Sequence, residues 1–176
     1  MTDEDRYGTV ARLLHWTVAV LVLAIIPLGI ALEHLPQGNI QDRAYDTHRS
    51  IGVVILVLMI VRLAWRRING APEPAHDIAP WQRMLASGTH HLLYLLLIVN
   101  PVVGWFATSA YGAPLMFIGI GELPALMAKN EPVENILFGV HKAMGLLTTA
   151  LLIAHIGAAL FHRFVLKDSV MARMTG

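Results

Sequence analysis

Residues 136–164 read ILFGVHKAMGLLTTALLIAHIGAALFHRF. The run is apolar apart from three histidines, two threonines, Lys142 and Arg163. Crossing the hydrocarbon core of a bilayer takes about 20 helical residues, so this stretch is long enough to span one. A histidine inside such a span is costly unless it has a partner, which makes it a candidate for function. His141 and His155 stand 14 residues apart. That is nearly four helical turns, so both share one face, about 21 Å apart along the axis. Such spacing suits two sites stacked across a membrane, one near each surface.

Working outward, three more stretches have the same character. The expected spans are about 9–32, 41–67, 80–110 and 132–166, within a single domain covering 1–176. Pro27 and Pro101 fall inside the first and third, where neighbouring helices can satisfy the freed carbonyls. The segment MTDEDRYGTVAR before the first span is acidic at its tip, unlike a signal peptide, so that span reads as a retained helix. Of the 176 residues, 56% are hydrophobic and 14% charged, against about 25% charged in soluble domains. The mean hydropathy is +0.58. A formal net charge of +1 gives no basic face for nucleic acid. The absence of cysteine excludes disulfides, thiolate metal sites, iron–sulfur clusters and c-type haem attachment.

Nine of the thirteen Lys and Arg fall at the two termini and in the 62–88 connection; Arg43, Arg49, Lys129 and Lys142 fall on the opposite side. The positive-inside rule then predicts cytoplasmic termini. Short connections predict an all-α, up-down-up-down four-helix transmembrane bundle. Asn39 and Asn130 read as N-caps, with Asp42 and Pro132 in the following first turns. The stretch 111–130 is apolar but broken by Gly and Pro, which predicts a short interfacial element on the outer face. The 68–80 connection reads as an irregular loop.

The remaining histidines can be matched to the fourth span by depth. His48 lies nine residues after Asn39, and His141 eleven after Asn130, which pairs them near the outer surface. His15 lies near the start of the first span and His155 near the end of the fourth, which pairs them near the inner surface. Zinc wants three or four protein ligands, more than either pair supplies. Two imidazoles on opposite sides of a porphyrin complete the coordination of a haem iron. The residues four positions after these histidines are Ala19, Gly52, Gly145 and Ala159, one turn away on the same face and small enough to leave clearance for a flat ring system. His34 and His76 fall in predicted loops and receive no role.

The ordered set of motifs resembles the bacterial cytochrome b561 family. It comprises LLHW at 13–16, DTHRSIG at 46–52, VRL at 61–63, LYLLLIVNPVVG at 93–104, and His141-Lys142 followed by Gly145, His155 and His162. The resemblance covers nearly the whole chain. It implies a bacterial inner-membrane protein that holds two haem b groups, with His15, His48, His141 and His155 as axial ligands. It implies electron transfer between a donor and membrane quinone, with the superoxide:ubiquinone oxidoreductases of the family the nearest likeness. Full axial coordination favours outer-sphere electron transfer over chemistry at the metal.

Arg49 and Lys142 directly follow the two outer histidines, suited to propionates or to steering an anionic donor such as superoxide. His162, seven residues after His155, lies on the same face about 10 Å further along the axis. There an imidazole can bond a quinone carbonyl and supply a proton. The resemblance places a quinone-contacting histidine at that position. Trp81 and Arg83 are candidates to close the same pocket, and His90 is open between propionate, quinone and iron ligation. Two rival readings remain. One is a haem b anchor subunit of a larger hydrogenase- or dehydrogenase-type complex; the other is a haem-free proton pathway built on intramembrane histidines.

Overall fold

The computed structural model describes residues 6–70, 72 and 79–175. His76 and most of the predicted 68–80 loop lie outside them. Four long helices dominate: α1 (Thr9–Ala31), α2 (Asn39–Asn69), α3 (Pro80–Tyr111) and α4 (Glu131–Phe161). A two-stranded hairpin, β1 (Leu115–Phe117) and β2 (Gly121–Leu123), separates α3 from α4, and a short α5 (Ala172–Thr175) closes the chain. Pro27 and Pro101 lie within continuous helices.

Local chemistry sets the helix ends. The Asn130 side chain accepts from the Val133 amide at 3.3 Å, with Glu131 and Glu134 in the first turn of α4, where the helix dipole favours acids. Asn39 is a different case from the one expected. The residue before α2 is Gly38, at φ 110°, and Asn39 is already helical with no side-chain cap. Glycine takes that backbone geometry at no steric cost, so the boundary shifts by one residue. Asp42 does occupy the first turn. Gly112, at φ 86°, closes α3.

Successive helices pack side by side: α1 on α2, α2 on α3, and α3 most extensively on α4. The buried centre is Val18 and Val22 of α1 with Ile55 and Met59 of α2, flanked by Tyr94, Leu97, Ile98 and Leu152. The outward faces are just as apolar. On α4 alone Ile136 is 66% exposed, Leu146 69% and Ile153 68%. Water tolerates scattered apolar side chains but not whole helix faces of them. α1 with its following turn, α3, and α4 with its extension are each long and apolar enough to cross a membrane. α2 matches them in length at 31 residues but carries charges towards both ends, including Asp42, Asp46, Arg62 and Arg66.

The 111–130 stretch, expected to be a short interfacial element, forms the hairpin, with Leu115 opposite Leu123 and Phe117 opposite Gly121. It folds back over the end of α3. Trp105 donates its indole N–H to the Pro124 carbonyl at 3.1 Å, and the Leu126 amide donates to Ser109 Oγ at 3.0 Å. Ser50 of α2 holds the other side. Its hydroxyl hydrogen is shared between the carbonyls of Asp46 at 2.7 Å and Met116 at 3.3 Å, and its oxygen accepts from the Ile118 amide at 3.0 Å. At the opposite end the termini meet. The Trp16 indole donates to the Met174 carbonyl and the Tyr7 amide to the Arg173 carbonyl.

Ser50→Ala would strand the Ile118 amide. A hydrogen bond lost at such a part-buried site costs about 0.5–1.5 kcal/mol. The expected outcome is a lower thermal midpoint in detergent and faster proteolysis within 111–130, with helical circular dichroism unchanged. Wild-type cleavage rates would show that the hairpin does not depend on this contact.

Candidate functional site

Histidines far apart in sequence meet across the helices. His48 of α2 faces His141 of α4, with ring centroids 6.2 Å apart and planes at 83°. Further along α4, His155 faces His15 of α1 at 6.4 Å and 77°. A metal ion bonds an imidazole nitrogen at about 2 Å, and the ring centroid lies about 1 Å behind that nitrogen. Two imidazoles on opposite sides of one ion therefore have centroids about 6 Å apart. Both pairs match this spacing. Among the described residues, no three His, Asp or Glu side chains converge to hold a bare ion. Each pair thus presents two facing imidazoles, which suits a metal already carried in a macrocycle.

Backbone at α1 and α3 seats the rings of the hairpin-end pair. A Cβ at Gly29 would lie 2.8 Å from His48 Cε1, and a Cβ at Gly104 would lie 2.9 Å from His141 Cε1. Only glycine permits these contacts without a shift. His141 Nδ1 donates to the Asn100 carbonyl at 3.1 Å. A carbonyl only accepts, so Nδ1 carries the proton and Nε2 keeps its lone pair for a metal. His48 has a backbone hydrogen-bond partner in Ile25, one turn before its Gly29 seat, as His141 has Asn100 one turn before Gly104. His15 differs, with a buried Nδ1 that has no partner among the described residues.

The helices part around His48 and His141 to leave a cavity of about 440 Å³. Gly52 and Gly145 both line it, together with Val22, Ile26 and Leu97. Ala19 and Ala159 are half-buried, one turn from His15 and His155. Arg49 and Lys142 stand at the cavity wall. Both are already engaged. Arg49 pairs with Asp46 at 3.5 Å, donates to the Pro114 carbonyl at 3.3 Å and lies over the Tyr45 ring. Lys142 forms an ion pair with Glu33.

At the termini end a third imidazole joins the pair. His90 of α3 lies 5.2 Å from His155, closer than two ligands on opposite sides of one ion would sit. His162 opens a π-helical turn (His162–Leu166) that extends α4. Its Nδ1 is hydrogen-bonded to Asp168 Oδ2, and both side chains are largely buried. Asp168 also accepts from the Val170 amide at 3.1 Å. Trp81 is 63% exposed at the start of α3, and Arg83 is half-buried nearby. His34 bonds the Ile30 carbonyl through Nδ1 and lines the cavity mouth.

The sequence reading did not single out Gly29, Gly104, Asn100 or Asp168. Pro27-x-Gly29 and Asn100-Pro101-x-x-Gly104 were visible as proline–glycine clusters in apolar helices. Nothing in them says that a histidine from another helix rests there.

Apolar helices with imidazoles paired across them at metal-bridging distance describe a membrane cytochrome of the b type. Comparison with known proteins agrees. Residues 6–176 match the family model for prokaryotic cytochrome b561, and the chain belongs to that family. It is 29% identical to cytochrome b561 homolog 2 of Escherichia coli, over 98% of this chain and 92% of that one. Cytochrome b562 of Cereibacter sphaeroides is 29% identical over 99% and 98%. A probable superoxide oxidase, CybB, of Yersinia pestis is 28% identical over 97% and 96%. Family membership carries haem b binding and electron transfer at a bacterial membrane.

Gly29→Ala is expected to push His48 from its seat and lower the haem content of the purified protein. Gly139→Ala, where a Cβ would meet nothing within 4 Å, should leave haem content unchanged. Equal content in the two variants would show that His48 does not depend on its seat.

Proposed function

We propose that this chain is a multi-pass, di-haem b cytochrome of the bacterial inner membrane that passes electrons from a donor at the outer face to ubiquinone at the inner side. In this reading all four long helices cross the bilayer and both termini are cytoplasmic. His48 with His141, and His15 with His155, are the axial ligands. The observation that carries it is the repetition of one geometry: two cross-helix imidazole pairs, at 6.2 and 6.4 Å, built on α4 histidines 14 residues apart. Polar residues on α2 are compatible with a span, because α2 packs against both α1 and α3.

Bound at these pairs, haem supplies reversible one-electron transfer with both axial positions filled. The chain supplies orientation. Gly29 and Gly104 set ring position, and Asn100 fixes the tautomer of His141. Gly52, Gly145, Ala19 and Ala159 keep the ring system's flanks clear.

Superoxide is the proposed donor, in keeping with the name of the Yersinia relative. Two superoxide anions give two molecules of dioxygen and two electrons; ubiquinone takes these with two protons to become the quinol. Arg49 and Lys142 are the residues proposed to draw the anion to the cavity mouth. Their pairing with Asp46 and Glu33 weakens that field, and this favours a second reading in which a partner protein docks as donor, as in the anchor subunit of a larger oxidoreductase complex.

At the inner side His162 is the proposed quinone contact. In its doubly protonated form the ring donates Nδ1–H to Asp168 and presents Nε2–H to a quinone oxygen, to which it can deliver that proton. Trp81 and Arg83 are proposed to close that pocket. His90, too near His155 to stand opposite it across one iron, is assigned to a propionate or the quinone.

The difference spectrum of the purified protein, with haem quantified per chain, is expected to give two low-spin b haems. Superoxide should then reduce ubiquinone through them, and Arg49→Gln with Lys142→Gln should slow this and flatten its salt dependence. Two haems with no superoxide-driven reduction would favour the partner-protein reading. A colourless, folded chain would return the haem-free proton pathway. His162→Ala should keep both haems and slow quinone reduction by about tenfold or more; loss of a haem there would overturn the ligand assignment.

A further inference from the structure

α2 repeats the spacing of α4. His48 and Arg62 are 14 residues apart, as are His141 and His155. Successive helices pack as neighbours and reverse direction at each connection, so α2 and α4 run the same way, and His48 meets His141. Arg62 therefore stands at the depth of His155, turned about 40° from the face that carries His48. Tyr94, the ring beneath its guanidinium, follows His90 by one helical turn on α3, and His90 lies 5.2 Å from His155.

Arg62 is half-buried, and its guanidinium lies over the Tyr94 ring at 5.2 Å. Together with Arg66, Tyr7 and Tyr94 it lines a small cleft between α2, α3 and the two termini. Among the described residues, neither Arg62 nor Arg66 has a carboxylate within ion-pair distance. The hairpin end is different, because Arg49 and Lys142 there have Asp46 and Glu33. A cation at this depth is costly unless a counter-charge compensates it, and among the described residues no carboxylate does. The cleft thus calls for an anion. Guanidinium is the group that binds a carboxylate through two parallel hydrogen bonds, and the tyrosines add hydroxyl donors.

We infer that Arg62, supported by Arg66, Tyr7 and Tyr94, binds a propionate carboxylate of the haem held by His15 and His155. The inference rests on the haem reading of that histidine pair. A lipid phosphate is the other source of the same anionic chemistry, and a cleft this close to the inner imidazoles favours the propionate. The electrostatic consequence has a definite sign. The iron of a haem carries one more positive charge when oxidised than when reduced. A fixed cation that offsets a nearby propionate removes negative charge from the iron's surroundings and so favours the reduced form. Removing it lowers that haem's midpoint potential and leaves the other haem, about 21 Å away, nearly unmoved.

The test is a redox titration of purified wild type, Arg62→Gln and Arg62→Lys, with haem and phospholipid phosphorus quantified per chain. In Arg62→Gln one haem should be lost, or its midpoint should fall while the other stays fixed. Arg62→Lys, which keeps the charge and loses the fork, should recover part of the shift. Both haems present with both midpoints unmoved would overturn the inference. The same result accompanied by loss of bound phospholipid would assign the cleft to a lipid headgroup. Should Arg62→Gln fail to purify as a monodisperse protein, the Tyr94→Phe, Arg66→Gln double variant decides instead. A lowered midpoint for one haem supports the inference, and two unmoved midpoints overturn it. A wild-type chain without haem would remove the underlying reading rather than this step alone.

Discussion

The imidazoles of His48 and His141 rest against the backbone of Gly29 and Gly104 at distances that leave no room for a side chain at either position. That close approach lets two helices contribute rings to one site while the other two helices wall it in. A ring seated against backbone has little rotational freedom. Its nitrogen is therefore aimed before any cofactor arrives, which lowers the ordering cost of binding. The Asn100 carbonyl adds a directional constraint on His141, choosing the tautomer as well as the orientation. The proline one residue later in α3 sits within the same turns as the glycine seat, so one short segment, 100–104, both positions and polarises the histidine of its neighbour.

Charge is distributed unevenly along the molecule. At the hairpin end each cation near the histidines has an acidic partner, and the loops tie into α2 through Ser50 and Arg49. At the termini end Arg62 and Arg66 stand without one among the described residues. Between these ends pack Val18, Val22, Ile55, Met59 and their apolar neighbours, of which Val22 and Ile55 also line the cavity beside His48 and His141.

Much of this was legible in the chain. Helical periodicity is a local property, so the four long helices could be placed from apolar runs, and the shared face of His141 and His155 followed from their spacing. Depth could be counted from predicted helix starts. The partners chosen that way, His48 for His141 and His15 for His155, are the ones the fold brings together. The count survived an error at Asn39, because one residue moves a side chain only about 1.5 Å along the axis. The hairpin within 111–130 could be expected only as a short element, since its pairing depends on Ser50, some 65 residues earlier.

By itself, then, the sequence determined the helices, the depth of each histidine and the chemistry of a two-imidazole donor set, because these follow from residue type and helical rise. Only the tertiary structure decided that Gly29 and Gly104 are seats, that Asn100 orients His141, that Asp168 holds His162 and that Arg62 lies over Tyr94. Each of those facts is a contact between chain segments or across an irregular turn. Contacts of that kind depend on which faces meet when the helices pack, and no local pattern encodes that choice.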